Sequence, residues 1–151
     1  MDEGLGRPAA RALRELERRG LLLVTDARLP SLVALVAGGP VRGSWWGHAR
    51  GGAIFAAATQ LEDHPDVALV KLVSGKSTFV HRRLWPALLG LAQAGEPWQT
   101  QGLPAPALRL WRRLQEAGTL RGAPLRGARE GVRALEARLL AVARSVHTAS
   151  G

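Results

Sequence analysis

The residues with the most unusual chemistry lie in one stretch, Arg42-Gly43-Ser44-Trp45-Trp46-Gly47-His48-Ala49-Arg50-Gly51-Gly52, which sets adjacent indoles among four glycines and two arginines within eleven residues. Glycines would let a nucleic-acid strand approach closely, an indole could stack on a base or wedge into a step, and Arg42 and Arg50 could hold phosphates. A competing role is internal. An indole buries so much area that at least one of Trp45 and Trp46 is expected to anchor the core, with the glycines making room for it. His48 is distant in sequence from His64 and His81, and no His-Glu-x-x-His pattern links them, so a hydrogen bond within the fold is the expected use of each ring.

A second group of cations surrounds Val67–His81. Lys71 and Lys76 are the only lysines of the chain, and Arg82 and Arg83 follow directly. Cations there suit a phosphate backbone. Lysine on an exposed strand face serves equally to block edge-to-edge aggregation. Gly75-Lys76-Ser77-Thr78 is similar to the end of a phosphate-binding loop, but Val70 stands where the earlier glycine is needed and Phe79-Val80-His81 has strand character, so no nucleoside triphosphate site is expected. Glu62-Asp63-His64-Pro65-Asp66 could serve a hard cation or an acid–base pair, yet polar residues around a proline are the ordinary chemistry of a turn. There is no Gly-x-Ser-x-Gly, and Ser44 and Ser74 have no identifiable base. No catalytic residue, cofactor or metal ligand is assigned. An enzyme would require His48, Asp63, His64 and Asp66 to converge in a pocket.

The chain has 151 residues, 46% of them hydrophobic and 22% charged, a balance that can build a core, and its lack of cysteine excludes disulfides and thiolate metal sites. Its formal net charge of +9 is uneven. Residues 1–75 are close to neutral at net +1, whereas residues 76–151 carry net +8. Such an excess invites nucleic acid or another acidic partner, although 19 of the 21 cations are arginine, a bias that genome composition alone can produce. The longest mostly apolar run, 29–38, is far short of a membrane span, and the acidic Met1-Asp2-Glu3 differs from a signal peptide, which together predict a cytoplasmic protein without membrane association.

Periodicity supplies the elements that must position these groups. Pro8 opens a helix over 8–19, with Ala9, Ala12, Leu13 and Leu16 on one face and Gly20 as its stop. Leu21–Val24 reads as a short strand, and Pro30 to Ala37 as a second helix ended by Gly38-Gly39-Pro40. Ile54, Ala57, Ala58 and Leu61 define a third helix that starts between Ser44 and Gly52 and stops before His64-Pro65. The period then changes to two over 67–81, a β-hairpin with Ser74-Gly75 at its tip. In that register Lys71 faces Thr78, Leu69 faces Val80, Val70 and Phe79 share the other face, and both lysines lie on one side.

A helical pattern resumes over 84–91, and 95–103 reads as a loop. Residues 104–151 read as helical, with Leu108, Trp111 and Leu114 before Gly118 and a final stripe of Ala128, Val132, Leu135, Leu139, Val142 and Val146. Arg126, Arg129, Arg133, Arg138 and Arg144 would form a solvated face of that last helix, whose stripe could pair with a second chain to form a homodimer. Thr119-Leu120-Arg121 is a candidate strand. Aligning Gly20 with Gly118 superposes Leu13 on Trp111, Leu16 on Leu114 and Leu22 on Leu120, a weak internal half-repeat.

Helix, short strand, helix, helix, hairpin over roughly Pro8 to Leu84 resembles the element order of the winged-helix superfamily, in which three helices pack on a small sheet and the hairpin loop is the wing. The resemblance implies a predominantly helical α+β fold: a winged-helix-like domain over 1–94, then a helical region over 104–151 that hints at a partial second copy. Tandem winged helices also occur in AlkZ-type DNA glycosylases, and Gln99-Thr100-Gln101 is similar to their Gln-aliphatic-Gln motif with threonine at the centre; no catalytic role follows from it.

The expected function is therefore DNA binding, or RNA binding, mainly through backbone contacts by Arg42, Trp45, Trp46, His48, Arg50, Lys71, Lys76, Arg82 and Arg83, in DNA repair or regulation. Only Thr59 and Gln60 on the third helix suit base reading. The alternative is a protein-interaction or oligomerisation module with no nucleic-acid role, and a small hydrolase or glycosylase is the weakest of the three readings.

Overall fold

The structure, a computed structural model, describes residues 4–144; Val146 and Met1–Glu3 lie outside the described residues. The chain is α+β and divides into two compact units, Met1–Leu88 and Leu89–Gly151. No helix among the described residues is long and apolar enough to cross a membrane.

In the first unit, α1 (Arg7–Arg19) buries Ala9, Ala12, Leu13 and Leu16, the face that its apolar spacing marks. Gly20 ends it at φ 84°, and its N–H donates to the Leu16 carbonyl at 2.6 Å. A Cβ at Gly20 would also lie 2.6 Å from Leu84 Cδ1, so both the backbone and the packing favour glycine there. Strand β1 (Leu21–Leu23) follows directly. Helix α2 (Leu32–Ala37) is capped by Ser31, whose Oγ accepts the Ala34 N–H at 3.2 Å. Helix α3 (Gly51–Glu62) buries Ile54, Ala57 and Leu61 against α1 and α2.

The strands β2 (Val67–Lys71) and β3 (Ser77–His81) form the expected hairpin, and β1 joins it on the β3 side, giving the antiparallel order β1-β3-β2. Thr78, Phe79 and Val80 on the central strand are all buried. Leu22, Val67 and Phe79 meet the helices in one core.

The register departs from the simple two-residue turn. Lys71 pairs with Ser77, Val70 with Thr78 and Leu69 with Phe79. Ser74 and Gly75 do occupy the tip with φ 50° and 70°, the left-handed conformations that such a turn requires. Behind it, however, the Lys76 N–H donates to the Val73 carbonyl while the Leu72 N–H donates to the Lys76 carbonyl. Leu72 and Val73 thus oppose a single residue, and this bulge slips the pairing by one. Lys71 now shares the face of Leu69 and Phe79, Val70 takes the other face, and strand alternation sets Lys76 opposite to Lys71.

The boundary between the units falls within α4 (Trp85–Gln93). In the second unit, the 95–103 segment contains a short helix, α5 (Pro97–Thr100), where a loop was expected. Helices α6 (Ala105–Ala117) and α7 (Arg129–Ala137) pack through Ala107, Leu110 and Leu135, with Trp111, Leu120, Ala128 and Val132 around them. Gly118 caps α6 through the Leu114 carbonyl at 2.7 Å, as Gly20 caps α1, but no strand follows it. An extended segment needs a partner for its backbone groups, and among the described residues Thr119–Arg121 has none of the pairing that β3 gives β1. The final helix is also shorter than its periodicity suggests, because Leu139 at φ 56° turns the chain away after Ala137.

Candidate nucleic-acid interface

The tryptophan stretch folds as a turn of 3-10 helix over Trp45–Gly47 that leads into α3. Ser44 begins it, its Oγ accepting the Trp46 N–H at 3.4 Å. The His48 N–H donates to the Trp45 carbonyl at 3.0 Å, and the Gly51 N–H to the His48 carbonyl at 2.8 Å. His48 Nδ1 accepts the Arg50 N–H at 3.0 Å, so the ring organises its own turn. A Cβ at Gly51 would stand 2.9 Å from the Trp46 carbonyl oxygen, which explains one of the glycines. A side chain there would force the turn to shift.

The two indoles divide between the expected roles. Trp45 is half-buried against the core of the first unit. Trp46 stacks on it with ring centroids 4.2 Å apart and planes 21° from parallel, yet is 65% exposed. Phe55, the fifth residue of α3, lies 5.6 Å from Trp46 at 41° and is 49% exposed. It was not among the expected site residues, although the stripe of Ile54, Ala57, Ala58 and Leu61 leaves position 55 off the buried face and could have identified it.

The cations differ in availability. Arg42 is exposed and has no carboxylate partner among the described residues. Arg50 donates from Nη1 to the Val36 carbonyl at 2.7 Å, satisfying the end of α2, and has no carboxylate partner among the described residues. Between Asp26 and Glu62 the sequence contains no acidic residue, and its only formally charged residues are Arg28, Arg42 and Arg50. That signal was legible without a structure.

At the hairpin, Lys76 instead forms an ion pair with Asp26, whose side chain is only 8% exposed. Asp26 Oδ1 also accepts the Arg28 and Leu29 N–H groups, each at 2.8 Å. The Lys76 ammonium first, and then these amides, hold the Asp26 carboxyl well below the usual carboxylate range. Lys71 donates from Nζ to Ser77 Oγ at 2.7 Å. Arg82 pairs with Asp66 at 3.1 Å, and Arg83 donates to the Arg18 carbonyl at the end of α1, also at 3.1 Å. No hydrogen bond or ion pair joins these four to the tryptophan turn among the described residues.

The remaining polar clusters make hydrogen bonds within the fold. His64 Nδ1 accepts the Asp66 N–H at 3.2 Å, and Asp66 then holds Arg82 through both its carbonyl and its carboxylate. No three potential metal-ligating side chains lie together among the described residues. Gly75-Lys76-Ser77-Thr78 runs into β3 rather than into a helix. Gln99 is buried with its amide fully engaged: Oε1 accepts the Glu96 N–H at 2.9 Å, and Nε2 donates to the carbonyls of Ala92 and Arg138. The Arg138 guanidinium, expected on a solvated face, reaches the carbonyls of Gln99, Gln101 and Gly102. Ala128, Val132 and Leu135 of the last stripe pack on α6 within their own unit.

Comparison with protein-family models, with curated proteins and with solved structures gives no match.

Proposed function

We propose that the first unit is a winged-helix-type module that binds nucleic acid in the cytoplasm, chiefly through the tryptophan turn and the start of α3. The observation that carries this reading is the exposed Trp46–Phe55 pair set in a stretch with arginines and no carboxylate. Aromatic faces beside uncompensated cations suit a polyanion whose subunits are flat rings. The fold reading is supported by the order α1, β1, α2, α3, β2, β3 with β1 on the β3 edge of the hairpin. A role in repair or regulation is compatible with such a module.

The contribution of the hairpin is smaller than its cations suggest. Lys76 and Arg82 already face carboxylates, so phosphate contact there would require breaking an internal pair. The test is binding of labelled single-stranded and duplex DNA across a salt series. Arg42→Ala is expected to lower the salt slope by about 0.7 on a single strand, the value for one lost phosphate contact. The Lys71→Ala/Lys76→Ala double variant is expected to change it less. Salt-insensitive association would overturn the reading.

One observation favours a second reading, a protein-docking module: the exposed positions Gly52, Ala53, Phe55, Ala56 and Thr59 of α3 carry no charge. Docking there would persist at high salt and would not compete with nucleic acid.

A further inference from the structure

We propose that Trp46 is a stacking platform for an unpaired base, so that the ligand of this module is single-stranded nucleic acid rather than intact duplex. The inference rests on the nucleic-acid reading above. It follows from what α3 can and cannot offer. Reading a duplex from the major groove requires free donors and acceptors on the exposed helix face. Of the two candidates, the Thr59 hydroxyl donates to the Phe55 carbonyl at 3.1 Å and Gln60 Oε1 accepts the Gly6 N–H at 2.9 Å, so Gln60 cannot present the paired donor and acceptor of a bidentate base contact. The other exposed positions are glycine, alanine and phenylalanine.

What the surface does offer is a rigid aromatic face. Trp46 stacks on Trp45, which is itself packed on the core, and Phe55 lies 5.6 Å away at a 41° tilt, while Trp46 stays 65% exposed. Its backbone is tied to Ser44, and Gly51 lets the chain fold against its carbonyl. An indole held this way has little conformational freedom left to lose on binding, yet most of its surface faces water. In a duplex each base face is covered by its neighbours, whereas an unpaired base presents a free face that stacks regardless of sequence. Arg42 and Arg50 border the turn in the chain, and the absence of acidic residues from 27 to 61 makes its charge complementary to a strand backbone.

Fluorescence anisotropy with the full chain at low salt distinguishes the possibilities. The probes are labelled oligothymidylate and oligouridylate of about 20 nucleotides, a fully abasic strand of equal length, and a duplex. Oligothymidylate is expected to bind more tightly than the abasic strand and the duplex, and Trp46→Ala to weaken it roughly tenfold while leaving the abasic strand unaffected. Trp46→Phe retains a flat ring and should recover most of that loss. The ratio of thymidylate to uridylate affinity assigns DNA or RNA as the source of the base. Equal binding of abasic and base-bearing strands, duplex bound as tightly as single strand, or no effect of Trp46→Ala would overturn the stacking inference while leaving nucleic-acid binding intact. Failure of all four probes to bind would overturn both, leaving the exposed α3 face to a protein partner. Thermal unfolding of each variant separates lost binding from lost structure, and Phe55→Ala provides a second route to the same corner.

Discussion

The tryptophan turn and the hairpin tip present similar residue types in sequence but dispose of them in opposite ways. At the hairpin, Lys76 meets Asp26, Arg82 meets Asp66 and Lys71 meets Ser77, so the cations organise the sheet and the loops around it. At the turn, Arg42 has no acidic partner among the described residues, Arg50 touches only a carbonyl through its side chain, and the largest aromatic surface of the unit is left in water. A count of cations therefore overstates what the hairpin can give a ligand. It understates the turn, where the decisive group is an uncharged ring.

The sharpest test of this contrast is stability. Phe79 on the central strand is fully buried, and Phe79→Ala should cost about 3–5 kcal/mol in denaturant unfolding. Trp46→Ala and Phe55→Ala should stay within about 1 kcal/mol, since neither ring is needed to close the core. A loss comparable to Phe79→Ala would mean that the aromatic corner is structural and would end its claim as a site. Gly51→Ala is intermediate. Its Cβ would press on the Trp46 carbonyl, so a loss of roughly 1–3 kcal/mol is expected together with weakened single-strand binding, because the indole moves with the turn.

A smaller effect separates the cations themselves. Arg42→Ala should lower the salt slope by about one contact, whereas Lys76→Ala should leave it nearly unchanged. The reverse result would restore the hairpin as the principal phosphate contact. The smallest effect is on acid stability. Because folding depresses the Asp26 pKa from its ordinary value of 3.8, its stabilisation is complete above that pH and lost as pH falls below it. Asp26→Asn should flatten this part of the unfolding profile, and Lys76→Ala should narrow it, while Arg42→Ala should not alter it.

Some of this organisation was legible from local pattern. The stripe of α1, the capping glycines at positions 20 and 118, a core contact for one of the two adjacent indoles, and Ser74-Gly75 at the tip all follow from spacing and residue type. The bulge at Leu72 did not. The register depends on which face of β2 meets the core once β1 and the helices are in place. The final helix misled for a related reason: a stripe can continue past the residue at which the chain turns, here near Leu139. The bonds that join Gln99 and Arg138, and those from Arg138 to Gln101 and Gly102, span 36 to 39 positions, a distance that local spacing does not record.

What the sequence determined alone is therefore the inventory: helices with apolar faces, a hairpin, an aromatic turn in an acid-free stretch, and a cationic surplus. These depend on interactions between near neighbours, which spacing records. The tertiary structure decided which groups remain free. Pairing Lys76 with Asp26 across 50 residues, engaging Gln60 with Gly6 across 54, and leaving Trp46 exposed while Trp45 is covered are outcomes of long-range packing. A side chain becomes available to a ligand only if no part of its own chain has satisfied it first, and that depends on where the fold brings distant residues.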